Sequence, residues 1–278
     1  VSWSRGLGDV YKRQNLGYAV IDEQHRFGVK QRSKIWEKNN PPPHVLIMTA
    51  TPIPRTLTMS LYGDLDLSII DELPPGRKDV ITVHRKDKNR LKVFGFIRDQ
   101  IKQGRQIYIV YPLIEESKKM DLKYLEDGLE SITREFDKEN YSIGVMHGRM
   151  RSSNKDIEMN NFLNGKIDIL ISTTVIEVGV NVPNASVMII ENAERFGLSQ
   201  LHQLRGRVGR GKYDSYCVLM TNDKISEDAK IRIDAMVNSN DGFKISEVDL
   251  RLRGPGDVLG TKQSLSLIHI SEPTRPTD

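Results

Sequence analysis

Cysteine is almost absent from the 278-residue sequence, where Cys217 stands alone. It has no partner for an internal disulfide and no companion thiols for a zinc or iron–sulfur site, which points to a reducing cytosolic compartment. Its plainest role is that of a small buried hydrophobe in a strand. Long apolar runs are missing too. None approaches the ~18 residues of a membrane span, and the first residues lack the apolar core of a signal peptide, so a soluble chain without a membrane partner is expected. No G-x-x-x-x-G-K-[ST] string occurs, because Gly165-Lys166 runs into Ile167 and Gly211-Lys212 into Tyr213. A self-contained P-loop phosphate cradle is thereby excluded. Nor does one sign of charge dominate: 41 Lys+Arg against 37 Asp+Glu give 41 − 37 = +4. The resulting pI of 9.0 is compatible with nucleic acid but far from a basic tail.

Between Asn15 and Ser264, short apolar runs bounded by turn residues alternate with polar or amphipathic stretches of helical length. The runs are Tyr18–Ile21, Val45–Met48, Val80–Val83, Gln106–Val110, Ile143–Met146, Ile167–Ile171, Val187–Ile190 and Tyr216–Met220. They are rich in β-branched residues and nearly continuous in apolar character, as strands buried on both faces are. The rhythm predicts an α/β fold with parallel sheets, and eight strands suit two sheets better than one. A helix is predicted over Asp87–Gln103, ended by Gly104, and Ser153 with Asp156 resembles a capping box for a helix closed by Gly165. The string Asp71-Glu72-Leu73-Pro74-Pro75-Gly76-Arg77 breaks any regular element, so a domain boundary is placed there. After Thr221 two polar helical patterns, Asp228–Asn238 and Ile245–Leu252, flank Asn240-Asp241-Gly242 as a helical hairpin. Val1–Gln14 and Leu265–Asp278 share neither rhythm nor amphipathic face, and are expected to be a non-native leader (1–14) and tail (265–278) of vector or adapter origin.

Two carboxylates, Asp22 and Glu23, follow the apolar run Tyr18–Ile21. In open α/β sheets ligands bind at the carboxyl edge of the strands, where one carboxylate can hold Mg²⁺ and its neighbour can polarise an attacking water. The alternative is a solvated strand exit. His25 has no second His or Cys at a spacing that would close a zinc site. Thr49-Ala50-Thr51-Pro52 ends another strand with small hydroxylated residues, a common kind of turn. The third string is Gln203-Leu204-Arg205-Gly206-Arg207-Val208-Gly209-Arg210. Its arginines are forks that match phosphate oxygens, and its glycines permit close backbone approach. A solvated basic loop is the competing reading.

Asp22-Glu23-Gln24-His25, Thr49-Ala50-Thr51, Thr173 through Val180, and Gln203 through Arg210 resemble, in order, motifs II, III, V and VI of superfamily 2 helicases. The longer strings Asp22–Val29, Met48–Leu57, His147–Met150 and Leu201–Gly211 are similar to the RecG branch of that superfamily. Arg253–Ser264 looks like the loop that RecG shares with the transcription-repair coupling factor. The resemblance implies a RecA-like parallel-sheet helicase motor: a partial first domain (15–75), a complete second domain (76–220), and a helical hairpin with translocation loop (221–264). It also implies ATP and Mg²⁺ as cofactors, branched DNA junctions and replication forks as partners, a monomeric motor, and a bacterial cytoplasmic, nucleoid-associated location. Asp22 would hold Mg²⁺ and Glu23 act as general base, while Gln203, Arg207 and Arg210 would reach the nucleotide, the two arginines as fingers. Gly179 and Asn181 would also contact nucleotide; Asn181 stands where many relatives carry Asp, which puts an acidic ribose contact in doubt. Thr49 and Thr51 would link the ligand states, Arg55, Arg149 and Thr173 would meet the DNA backbone, and Arg253 and Gln263 would couple motor motion to DNA movement. For Arg55, Arg149 and Thr173 an ordinary surface role is the alternative.

The implied activity is that of an ATP-dependent DNA helicase that remodels stalled forks and recombination junctions. The rivals are a coupling-factor motor, disfavoured by Gln24-His25, and a motor remnant that binds nucleic acid without catalysis. In the resembled family the P-loop and a DNA wedge precede the Asp-Glu motif, so the chain is expected to be a fragment that is inactive alone. Phosphate release measured with junction DNA should show no DNA-stimulated ATP hydrolysis by this chain; robust turnover abolished by Asp22→Asn would refute the missing-cradle argument.

Overall fold

The computed structural model describes residues 16–22, 42–49, 66, 68–70, 72, 74, 77–112, 128–137, 139–173 and 182–253. Glu23, Thr51, Arg55, Gly179, Asn181 and Gln263 lie outside the described residues, as does the side chain of Arg253. The chain divides into two compact units, one of Val1–Leu65 with Leu250–Asp278 and one of Asp66–Asp249.

In the first unit β1 (Tyr18–Asp22) pairs in parallel with β2 (His44–Met48), Tyr18 opposite His44 and Asp22 opposite Met48. The alternating burial of these two strands departs from the expected two-sided burial. Tyr18, Val20, Leu46 and Met48 are exposed, while Ile21 is buried.

The second unit carries β3 (Val80–Lys86), β4 (Gln106–Tyr111), β5 (Ile143–Met146), β6 (Ile169–Thr173), β7 (Ala185–Ile190) and β8 (Ser215–Thr221). They form one sheet in the order β3-β8-β7-β4-β6-β5, parallel throughout. Its described helices are α1 (Arg90–Lys102), α2 (128–135), α3 (Ser152–Leu163), α4 (Leu198–Arg205) and α5 (Glu227–Asn238), and α6 (Gly242–Arg253) starts in it. None of the described helices is long and apolar enough to cross a membrane. The central strands β4, β6 and β7 are buried at every position, whereas the edge strands β3 and β5 are only partly covered. Two-sided burial therefore belongs to the middle of the sheet, where helices cover both faces.

Alternate residues divide the core. Ile107, Ile109, Ile169, Ile171, Val187, Ile189 and Val218 pack with Val93, Phe94 and Ile97 of α1 and with Ile132 and Phe136. On the other face Tyr108 stacks at 4.8 Å on Phe162 of α3. Cys217 is fully buried in β8, its thiol pushed up to about 12 by burial against the pull of Arg205, so it is an inert core residue.

Two local expectations are corrected. The helix α3 starts from Arg151 with no side-chain cap, so the Ser153–Asp156 capping box does not form. Gly165 does close it, at φ 72, with its N–H on Phe162 and the next N–H on Asn161. The strand expected at Ile167 begins two residues later, because the Gln106 amide claims the Ile167 carbonyl at 2.8 Å. The hairpin helices are capped by Ser226, whose Oγ accepts from Ala229, and by Asp241, whose carboxylate accepts from Phe243 at 2.8 Å. Gly242 thus belongs to α6 and not to the turn.

Phe136 is fully buried and meets Phe94 edge-on at 5.7 Å and Tyr141 at 5.2 Å. Phe136→Ala should cost about 3–5 kcal/mol through lost burial and an unfilled cavity, read as a lower urea midpoint at unchanged slope.

Candidate functional site

Parallel pairing carries Asp22 to the carboxyl end of β1, beside Met48 on β2, with its side chain exposed. Such a carboxylate suits a hydrated divalent cation. Thr49 follows directly on β2 and takes part in interactions of its own. No cluster of three metal-ligating side chains occurs among the described residues.

The arginine string sits in the second unit, where α4 ends and the chain turns into β8. Arg205, the last residue of α4, faces inward with 3% of its surface exposed. Its guanidinium donates to the carbonyls of Met236 at 3.0 Å, Ser239 at 2.7 Å and Asn240 at 3.3 Å. It also lies 3.1 Å from His202 Nδ1. These carbonyls close the carboxyl end of α5, where the helix dipole favours a cation. Burial, only partly offset by Cys217 and Asp79, pulls the Arg205 pKa below the usual arginine value. Arg205 is thus a structural bolt between α4 and the helical hairpin.

Arg207 and Arg210 lie one turn further on and are half-buried. Arg210 Nε donates to the Gly206 carbonyl at 3.1 Å, which fixes the loop back onto the end of α4. Burial and the neighbouring charges of Arg207 and Arg77 all lower the Arg210 pKa. Both Arg207 and Arg210 act on the buried Tyr108 phenol, which burial pushes up to about 12 against their pull. Among the described residues neither arginine pairs with a carboxylate. Converging guanidiniums without a counter-charge fit the polyphosphate of a nucleotide. Gln203 is exposed on α4 and also has partners.

At the opposite edge of the sheet, β4 and β7 are neighbours whose onward connections leave in opposite directions, the kind of switch point at which α/β sheets form a crevice. Directly after β7, Glu191 is buried and accepts both nitrogens of Arg90 at 2.8 Å. Burial works against the Arg90 charge, but the bonds to Glu191 and Asp87 outweigh it and raise its pKa. Asn192 follows in the left-handed region at φ 49, which asparagine tolerates better than most residues. Arg149 is exposed in the turn after β5 and has partners. Thr173, at the end of β6, has 2% exposure and a buried hydroxyl without a hydrogen-bond partner. As it stands, that enclosed hydroxyl is not offered to a DNA phosphate.

The helicase conserved C-terminal domain matches residues 88–212, and domain 3, C-terminal, of the ATP-dependent DNA helicase RecG matches residues 239–270. A RecG helicase of Synechocystis is 57% identical over 90% of this chain and 30% of its own length. The Bacillus subtilis RecG is 51% identical over 93% of this chain and 37% of its own. A structure of RecG bound to a three-way DNA junction aligns at TM-score 0.72 and 43% identity, covering 94% of this chain and 33% of that one. The chain belongs to the RecG family. It spans about a third of the length of these relatives. An Lhr helicase of Mycobacterium smegmatis, at TM-score 0.55 and 16% identity, shares the fold alone.

In this RecG-family chain the motif reading missed three features. Arg205 was legible as an arginine but not as a bolt, because its acceptors are backbone carbonyls, which carry no sequence signal. The Arg90–Glu191 pair joins residues 101 positions apart, and no local pattern announces it. His202, on α4, is the third. Burial first, then the Arg205 charge, push its pKa down to about 4 against the pull of Asp241. The fold therefore favours the neutral ring. Stability from this site is fully present above the unfolded value near 6.5 and is lost as pH falls towards 4. Comparing urea unfolding at about pH 7 and about pH 5, the chain should lose more stability than its His202→Asn variant, by on the order of 1–3 kcal/mol.

Proposed function

We propose that the full-length protein carrying this chain is an ATP-driven double-stranded DNA translocase that remodels stalled forks and recombination junctions. The chain would supply its second motor domain and helical hairpin. The observation that carries the reading is the pair Arg207 and Arg210, half-buried on a fixed loop with no carboxylate partner among the described residues. Arginines kept without a counter-charge cost stability through mutual repulsion, a cost that an anionic ligand relieves. The kinship with RecG helicases, one of them solved on a three-way DNA junction, supports branched DNA as the track and favours this reading over a coupling-factor motor.

In this assignment Asp22 would hold a Mg²⁺ ion, which when bound would screen the phosphate charge of ATP, and Glu23 would act as general base. Arg207 and Arg210 stabilise charge on the transferring group, an effect worth about 10³–10⁵ in rate in related phosphoryl-transfer systems. Gln203, Gly179 and Asn181 complete the nucleotide contacts. Thr49 and Thr51 link the ligand states, and Arg55 and Arg149 serve the DNA side, where backbone contacts position the duplex without reading sequence. Thr173 would join them only after its buried hydroxyl is uncovered. Arg253, the last residue of α6, and Gln263 would couple motor motion to DNA movement.

In the full-length protein, Arg207→Ala should lower DNA-stimulated ATP turnover by about a hundredfold or more while junction affinity stays within about threefold. Steady-state phosphate release and fluorescence anisotropy on one preparation check both. A parallel collapse of affinity would favour the non-catalytic DNA-binding module instead.

A further inference from the structure

The segment that leads into β3 runs beside the finger loop. Arg77 donates from Nε to the Gly209 carbonyl at 3.1 Å across 132 positions of sequence. One residue on, Lys78 Nζ meets the Asp214 carboxylate at 2.8 Å. Consecutive side chains thus clasp both ends of the stretch from Gly209 to Asp214.

The clasped peptide has little freedom. Gly209 stands at φ 78, a conformation that glycine adopts without strain, and a Cβ there would come within 2.8 Å of Val80 Cγ2 on β3. At Gly211 an added Cβ would collide with the Pro183 carbonyl. The loop is therefore hemmed in by β3 at Gly209 and by the turn before β7 at Gly211, and in sequence Gly209 lies between Arg207 and Arg210. Arg77 is also one of the charges felt by Arg210. A third guanidinium has been brought to a place already crowded with positive charge, which no stability argument requires.

We propose that Arg77 is a positioning residue for the arginine-finger loop, holding the Gly209 peptide so that Arg207 and Arg210 meet the anionic ligand in one geometry. This rests on the finger role assigned above. A bond from a half-buried cation to a backbone carbonyl suits the task, because it fixes a peptide without neutralising the charge that the ligand needs. It also makes the residues entering β3 part of the catalytic apparatus, although they carry no recognisable motif.

The test uses the full-length protein with Arg77→Ala, Arg77→Lys and Arg207→Ala. Arg77→Ala should reduce kcat for DNA-stimulated ATP hydrolysis by about tenfold or more, with KM for ATP and junction affinity within about threefold and the thermal midpoint within about 3 °C. Arg77→Lys, which keeps a charged donor, should recover most of the rate. A kcat within about twofold of the parent in Arg77→Ala, with Arg207→Ala inactive, would overturn the brace and leave the finger role standing. Equal loss of rate and thermal midpoint, not recovered by lysine, would make Arg77 a packing residue and overturn the proposal too. Full turnover in Arg207→Ala would remove the finger role and the brace with it.

Discussion

β3 and β8 pair in parallel, Val80 opposite Ser215 and Lys86 opposite Thr221, and the functional geometry of the second unit follows from that pairing. Parallel strands are entered from one edge and left at the other. The segments that precede β3 and β8 must therefore meet at the entry edge, however far apart they lie in sequence. Arg77 precedes β3, and the loop of Arg207 and Arg210 precedes β8. Their contact across 132 positions is a consequence of strand direction before it is a consequence of any side chain.

The same rule separates the two kinds of polar chemistry. At the exit edge the switch between β4 and β7 holds Glu191, matched by Arg90 through two bonds of 2.8 Å. A carboxylate buried to this degree needs such a partner, since an unpaired charge in the interior is costly. At the entry edge Arg207 and Arg210 have no such match among the described residues. Among the described residues the buried carboxylate at the exit edge is matched, and the two half-buried arginines at the entry edge are not paired with a carboxylate.

Between the edges, Arg205 shows how a motif divides its labour. Three arginines occur within six residues, yet the helix turn sends the first into the interior and leaves the other two half-buried. Hydrogen bonds from one guanidinium to three carbonyls satisfy the exposed end of α5 and fix the hairpin to α4. His202 stays neutral beside that guanidinium, since a second charge there would face both burial and repulsion. The hairpin and the loop of Arg207 and Arg210 are thus both fixed at the carboxyl end of α4.

How much of this was legible in the sequence depends on the range over which each feature is encoded. The eight described strands all showed as apolar runs, although only β4, β6 and β7 are buried at every position. Helix ends at Gly104 and Gly165 were equally plain, since both take a positive φ that glycine accepts. Arg207 and Arg210 stood out through local spacing. The failed capping box at Ser153 marks the limit of such signals: the right residue types were present, but the cap position of α3 lies two residues earlier, at Arg151. By itself the sequence determined element identity, the parallel fold class and the arginine string, all properties of short windows and of solvation along them. Strand order, the inward turn of Arg205, the Arg90–Glu191 pair and the clasp of Arg77 on Gly209 were decided only in the tertiary structure. Each depends on which segments a parallel sheet brings to the same edge, and no window of sequence contains both partners.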